Sequence, residues 1–231
     1  MGKMITVCSG SGGVGKSTVA LALAVYAAKS GRNTVLLDAS GISRSCDLML
    51  GLESIVTLDM VDVIHQQADI NSALYRVPDC DNLRFSCASL YDDVLTAELS
   101  SVLLVLQSLS DVLVIDLPTG QNDLGEGLLK NDDVQIVVSR PDDASMRSAE
   151  RMMMKMVDRT AERYLVVNRA SSERRRKNVQ YDSQIVAMVL DCPLLGCIPD
   201  DDSLMGQSYK GHWDSPAAKA LSDIADSLFG R

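Results

Sequence analysis

Aromatic side chains are scarce: one Trp, two Phe and six Tyr make up 4% of the 231 residues. That leaves little material for a platform on which nucleic-acid bases stack. Positive charge is also short, with 22 Lys and Arg against 31 Asp and Glu, a formal net charge of −9. Such a balance opposes non-specific binding to nucleic acid or to an anionic bilayer unless a local basic patch offsets it. No apolar run approaches the roughly 20 residues that span a membrane. Met1 to Cys8 carries one lysine and a short apolar run before glycines begin, which fits neither a secretion signal nor a transit peptide. The expected location is the cytoplasm. The six cysteines, Cys8, Cys46, Cys80, Cys87, Cys192 and Cys197, form no C-x-x-C pair. In that compartment they read as reduced, buried, small apolar residues without a metal or disulfide role. The two histidines, His65 and His212, stand apart from any cluster with ligand spacing and are assigned nothing.

What is present is material for a core, since hydrophobic residues reach 46% with 23% charged, a composition that folds. Short, uniformly apolar runs alternate with segments of helical period. The strands expected are Met4–Cys8, Thr34–Leu37, Leu83–Cys87, Val112–Ile115, Gln135–Val138, Tyr164–Val167 and Leu194–Ile198. Between and after them, helices are expected over Ser17–Ser30, about Thr96–Leu109, about Ala144–Val157 and about Pro216–Leu228. Strands apolar on both faces belong to βαβ units, so the expected fold is α/β: a single domain over 1–231, its mostly parallel twisted sheet flanked by helices on both faces. Ligands in such folds bind at the carboxyl ends of the strands.

One stretch at such an end carries specific chemistry. Gly10-Ser11-Gly12-Gly13-Val14-Gly15-Lys16-Ser17 fits G-x-x-x-x-G-K-[ST] without a gap and lies between the first strand and the first helix. Glycines let backbone N–H groups converge on phosphate oxygens, and the helix N-terminus adds its positive end. In this reading Gly10 to Thr18 cradle a nucleotide, Lys16 meets the β- and γ-phosphates, and Ser17 offers its hydroxyl to Mg²⁺. A Gly-Ser turn that matches by chance is the alternative. Asp116 follows four apolar residues, Val112 to Ile115, where a carboxylate can hold Mg²⁺ through a water. Asp38, closing Val35-Leu36-Leu37, is a second strand-end carboxylate, and both also fit plain loop caps.

Together these residues give the chain a resemblance to the MinD/ParA family of deviant Walker A P-loop ATPases. The likeness also rests on Asp116-Leu117-Pro118-Thr119-Gly120, Arg140-Pro141 with Ser145, Val166-Val167-Asn168-Arg169 and Gly196-Cys197-Ile198-Pro199-Asp200. Arg44 to Glu53, followed by Asp59, Val61 and Val63-Ile64, is more similar to MinD than to ParA. The resemblance implies ATP with Mg²⁺, an adenine contact at Asn168, and a nucleotide-dependent homodimer. It also implies a role, with protein partners, in placing machinery such as the division septum, pili or flagella. Two positions depart from the family pattern. The family's signature lysine falls at Ser11, and the aspartate that helps position the attacking water falls at Ser40. Binding is expected to survive and hydrolysis to be weak or absent, because phosphoryl transfer is catalysed mainly by positioning and charge stabilisation. Two alternatives stay open: an active ATPase stimulated by a partner, and a small metabolic ATP-dependent ligase or kinase on the same fold.

MinD proteins resemble one another in a closing basic amphipathic helix that binds lipid. Here Ala217, Leu221, Ile224 and Leu228 form the apolar stripe, with Asp223 and Asp226 on the polar side. Lipid anchors prefer Lys and Arg there, so a helix packed on the domain is expected, and recruitment to membrane or pole through a partner protein. Glu173-Arg174-Arg175-Arg176-Lys177 reads as a solvated loop. Met152, Met153, Met154 and Met156 read as core filler.

Overall fold

The computed structural model describes residues 1–40, 44–88, 95–120, 132–155, 162–202 and 214–230, the side chains of 95–97 excepted. His212, Met156 and Val157 lie outside them.

Among the described residues, eight strands and eight helices follow in the order β1(Lys3–Cys8), α1(Lys16–Lys29), β2(Thr34–Asp38), α2(Ser45–Leu50), α3(Met60–Ile64), β3(Tyr75–Arg76), β4(Leu83–Cys87), α4(Leu95–Ser108), β5(Val112–Asp116), β6(Val134–Ser139), α5(Asp143–Lys155), β7(Glu162–Ala170), α6(Ser172–Arg176), α7(Ser183–Val189), β8(Leu194–Pro199) and α8(Pro216–Phe229). They build one sheet in the order β3-β4-β2-β5-β1-β6-β7-β8. Every neighbouring pair is parallel except β3 with β4. The expected α/β fold is thus the observed one, and each expected strand and long helix is present within a few residues.

The reason is burial on both sides. β2, β5 and β6 are buried along their whole length, which only helices on both faces achieve. One apolar layer joins the sheet to α1, α2 and α8, and the other joins it to α3, α4, α5 and α7. In α1 the abundance of alanine serves close approach: Ala20, Ala22, Ala24, Ala27 and Ala28 are all buried. The expectation for α8 holds, with Ala217, Leu221 and Ile224 buried against the domain. Gly196 of β8 makes this possible, because a Cβ there would lie 2.3 Å from Cγ1 of Ile224. No helix among the described residues is long and apolar enough to cross a membrane.

Two expectations need correction. The basic run is not a loop: Ser172–Arg176 form α6, whose N-cap Ser171 accepts from the Arg174 amide. Pairing makes this cheap, since Arg174 bridges to Asp200, Arg175 to Asp182, and Lys177 to Glu173. Of the α5 methionines only Met152 is core; Met153 is half-buried and Met154 is 75% exposed. Each residue turns about 100° round the helix axis, so Met153 lies at the edge of the buried face and Met154, about 200° from Met152, points away from the sheet. Elements that sequence periodicity does not reveal are α2, α3, α7 and β3, each seven residues or fewer. Only α3 announces itself, through the Asp59–Asp62 capping box.

Five cysteines are buried and Cys197 is exposed. Burial pushes the thiols of Cys8 and Cys87 from 9.0 up to about 12. Between those values the unfolded chain releases protons that the fold retains, so stability falls as pH rises, by about 1.4 kcal/mol per pH unit for each such thiol. Urea midpoints are therefore expected to fall from about pH 9 upward. Replacing Cys8 and Cys87 with alanine should flatten that slope; an unaltered slope contradicts the cause.

Candidate nucleotide site

The strand order places three carboxyl ends side by side. β5 lies between β2 and β1, Asp38 pairs in register with Asp116, and Val7 pairs with Asp116 on the other side. The glycine loop leaves β1 at this edge and feeds α1.

Gly13 and Gly15 have φ of +71° and +91°, a left-handed backbone that glycine adopts without strain. Gly15 is also the N-cap of α1 and supplies no side-chain cap, so the first-turn amides remain suited to an anionic ligand. The outer side of the loop is clear, with nothing within 4 Å of where a Cβ on Gly12 or Gly13 would sit. Its inner side is tightly held. A Cβ on Gly10 would fall 2.1 Å from the Ser148 carbonyl oxygen of α5. The Gly120 amide donates to the Ser9 carbonyl at 2.9 Å, and the Ser9 hydroxyl donates to the Ser11 carbonyl at 3.1 Å. Residues 10–18 thus form a glycine loop that is open on its outer side and braced on its inner side.

Lys16 projects from the first turn of α1 onto Asp116, forming a buried ion pair with its Oδ1. Exposure is 6% for Lys16 and nil for Asp116. Burial pushes the Asp116 carboxyl above its ordinary value; the Lys16 ammonium opposes this, Asp38 adds to it, and hydrogen bonds from Lys16 and Ser17 also oppose it. Desolvation is the largest of these effects, so the carboxylate is held ionised less firmly than its salt bridge alone suggests. Ser17, the other residue expected to bind Mg²⁺, is near enough to Asp116 to help hold its carboxylate ionised. Asp38 is 1% exposed. Its Oδ1 accepts from the Ser40 amide at 2.9 Å and from the Ser40 hydroxyl, and its Oδ2 accepts from the Cys46 amide at 3.0 Å. Ser40 thus anchors Asp38 rather than adding a second carboxylate.

Beside the loop opens a cavity of about 230 Å³, lined by Gly15, Thr18, Met49, Asn168, Pro199 and Asp200 among others. Asn168 closes its inner wall. The Asn168 Nδ2 donates to the Val14 carbonyl at 2.8 Å, while its Oδ1 accepts from the Arg169 amide at 2.8 Å. Each end of that carboxamide retains capacity for one more hydrogen bond. The same contact fixes Gly15, because a Cβ there would stand 2.1 Å from Nδ2. Every residue singled out in the sequence as a site candidate reaches this edge of the sheet.

Sequence reasoning missed two members. Met49 enters the cavity wall from α2, and Cys46 sits between the two strand-end carboxylates. Burial, with the neighbouring Asp38 and Asp116, pushes the Cys46 thiol well above its ordinary value. No spacing rule links a residue in a six-residue helix to one strand end eight residues before it and another 70 residues after it. The reading of Cys46 as apolar filler is accordingly incomplete.

A family model described as ParA, NUBPL iron-transfer P-loop NTPase, matches residues 1–229. The septum site-determining protein MinD of Neisseria meningitidis is 32% identical over 249 positions, covering all of this chain and 92% of that protein. In fold, the chain is similar to MinD in the MinC:MinD cell division complex of Aquifex aeolicus, with a TM-score of 0.85 at 24% identity over 99% of this chain and 96% of that one. It is likewise similar to MinD of Pyrococcus horikoshii complexed with Mg-ADP, with a TM-score of 0.81 at 23% identity over 100% and 97% of the two chains. With the family model spanning nearly its whole length and MinD proteins matching it end to end, the chain belongs to the MinD/ParA family of P-loop nucleoside triphosphatases, on its MinD-like side.

Proposed function

We propose that this chain, acting as one domain over 1–231, is an ATP-binding, MinD-like regulator of where a division or cell-envelope machinery is placed or assembled. The observation that carries the reading is the convergence of Lys16, Ser17, Asp38 and Asp116 on the open glycine cradle. Loop amides from Gly10 to Thr18 would take the phosphates, with Lys16 released from Asp116 onto the β- and γ-oxygens. The cavity beside Asn168 suits a base on the side of Gly15 and Thr18. The donor set also fits Mg²⁺: Ser17 would bind it through its hydroxyl and Asp116 through a water, and the ion would neutralise phosphate charge.

Hydrolysis in this reading is slow or absent, because Ser11 and Ser40 stand where the family carries a lysine and an aspartate. Output then depends on ATP-dependent association, with a second copy of the chain and with protein partners. The Aquifex relative's complex with MinC supports a protein partner for this chain. The competing reading, a partner-stimulated ATPase, is favoured by the intact Lys16, Asp38 and Asp116. Phosphate release with and without candidate partners separates the two.

Binding of a fluorescent ATP analogue with Mg²⁺ tests the reading. Lys16→Ala removes a charge-assisted contact of roughly 1.5–3 kcal/mol, so affinity is expected to fall by about 10- to 100-fold. Unchanged affinity in that variant, or no binding by the intact chain, overturns the proposal. Light scattering with ADP, ATP and a non-hydrolysable analogue tests the switch, since monomers under all three oppose it.

A further inference from the structure

Among the described residues, one group of three metal-binding side chains converges: Asp38, Cys46 and Asp116, whose donor atoms all lie within 4.8 Å of one another. The three come from β2, α2 and β5, and each is 0–1% exposed. Cys46 takes part twice. Its amide donates to Asp38 Oδ2 at 3.0 Å, and its thiol donates to Asp116 Oδ2 at 3.7 Å, a proton that a metal would replace. In a tetrahedral site with metal–sulfur and metal–oxygen bonds of about 2.3 and 2.0 Å, neighbouring sulfur and oxygen ligands lie about 3.5 Å apart. The observed edge is close to that separation.

We propose that Asp38, Cys46 and Asp116 form a binding site for a thiophilic divalent cation such as Zn²⁺ or Cd²⁺, filled without nucleotide. A hard-ion site needs only oxygen donors, whereas a thiolate beside two carboxylates selects softer metals. Binding releases the Cys46 thiol proton to solvent and involves no change of oxidation state. Charge then balances: two carboxylates and one thiolate meet the Lys16 ammonium and a divalent ion. Lys16 stays on Asp116 Oδ1, and Oδ2 faces the metal. One consequence rests on the nucleotide reading above. While Lys16 holds Asp116 Oδ1 and the soft cation holds Oδ2, Mg²⁺–nucleotide must first draw Lys16 away, which strips the loaded site of its balancing ammonium, so the two ligands compete.

Cd²⁺ titration of the full nucleotide-free chain, followed by sulfur-to-cadmium ultraviolet absorption, tests the site. One equivalent is expected to raise the band. Cys46→Ser should abolish it and weaken Cd²⁺ binding by at least the roughly tenfold that changes behind metal ligands already cost. Cys197→Ser, at the exposed thiol, should leave it intact. If Cys46→Ser fails to fold by circular dichroism, Asp38→Asn takes its place and should weaken Cd²⁺ binding likewise. A band that persists in Cys46→Ser, disappears in Cys197→Ser, or is undiminished in Asp38→Asn overturns the proposal. ATP binding is measured on the same samples: its absence in the intact chain while Cd²⁺ binds removes the nucleotide reading and leaves this one standing.

Discussion

Ser11→Lys combined with Ser40→Asp is expected to raise ATP turnover by about 10²-fold or more, the rate effect typical of restoring an electrostatic group at a transition state. Phosphoryl transfer asks little covalent chemistry of the protein, so positioned charge is most of what it supplies. Position 11 lies on the half-exposed part of the loop, beside the clear outer side at Gly12, where a lysine has room to reach outward. Position 40 is less forgiving. The Ser40 hydroxyl donates to Asp38 Oδ1, and an aspartate there exchanges that donor for a like charge beside a buried carboxylate. Ser40→Asp alone should therefore weaken the fold slightly and gain little rate. Substitutions that share partners act non-additively, and the benefit belongs to the pair. Phosphate release at saturating ATP decides the matter, and turnover equal to that of the unmodified chain defeats the explanation.

Asp116→Ala is expected to destabilise the chain by about 3–5 kcal/mol, the usual cost of leaving one member of a buried ion pair alone. Lys16 is 6% exposed, so its ammonium would remain in the interior with its ion-pair partner gone. Replacing both charges, as Lys16→Met with Asp116→Leu, should recover most of that loss, because a buried pair contributes little over apolar groups of similar volume. The double variant should still fail to bind ATP, since both the phosphate-facing cation and the metal-facing carboxylate are gone. Urea unfolding and analogue binding on the same three proteins measure the two effects separately. A loss below about 1 kcal/mol in Asp116→Ala would place the ion pair in a wetter setting than its burial implies.

These two results draw on different parts of what the chain encodes. The cradle from Gly10 to Ser17 is local. Its function needs a tight turn, backbone amides and a helix start, all supplied by neighbouring residues, so a short motif suffices to reveal it. The strands are legible for a similar reason, since Val112 to Ile115 or Val35 to Leu37 must be apolar throughout to be buried on both faces. Asp38 and Asp116 stand out at their ends because a carboxylate there interrupts that demand. Periodicity fails for α6, where ion pairs rather than an apolar face hold one turn and a half of helix. It also blurs at α5, where Met152 and Met154 look alike in sequence and only the helix rotation separates core from surface.

From its sequence alone, then, this chain is determined to be a parallel α/β protein with a phosphate loop and two strand-end carboxylates. Only the tertiary structure decided that these carboxylates are partners. The order β2-β5-β1 brings Asp38 and Asp116 into register beside the loop, and strand order depends on how crossovers pack rather than on any local spacing. It likewise decided that Cys46, eight residues from Asp38 and 70 from Asp116, sits between them. That thiol meets its carboxylates through the folding of three separate segments onto one sheet edge, a long-range event for which no short stretch of sequence holds a signal.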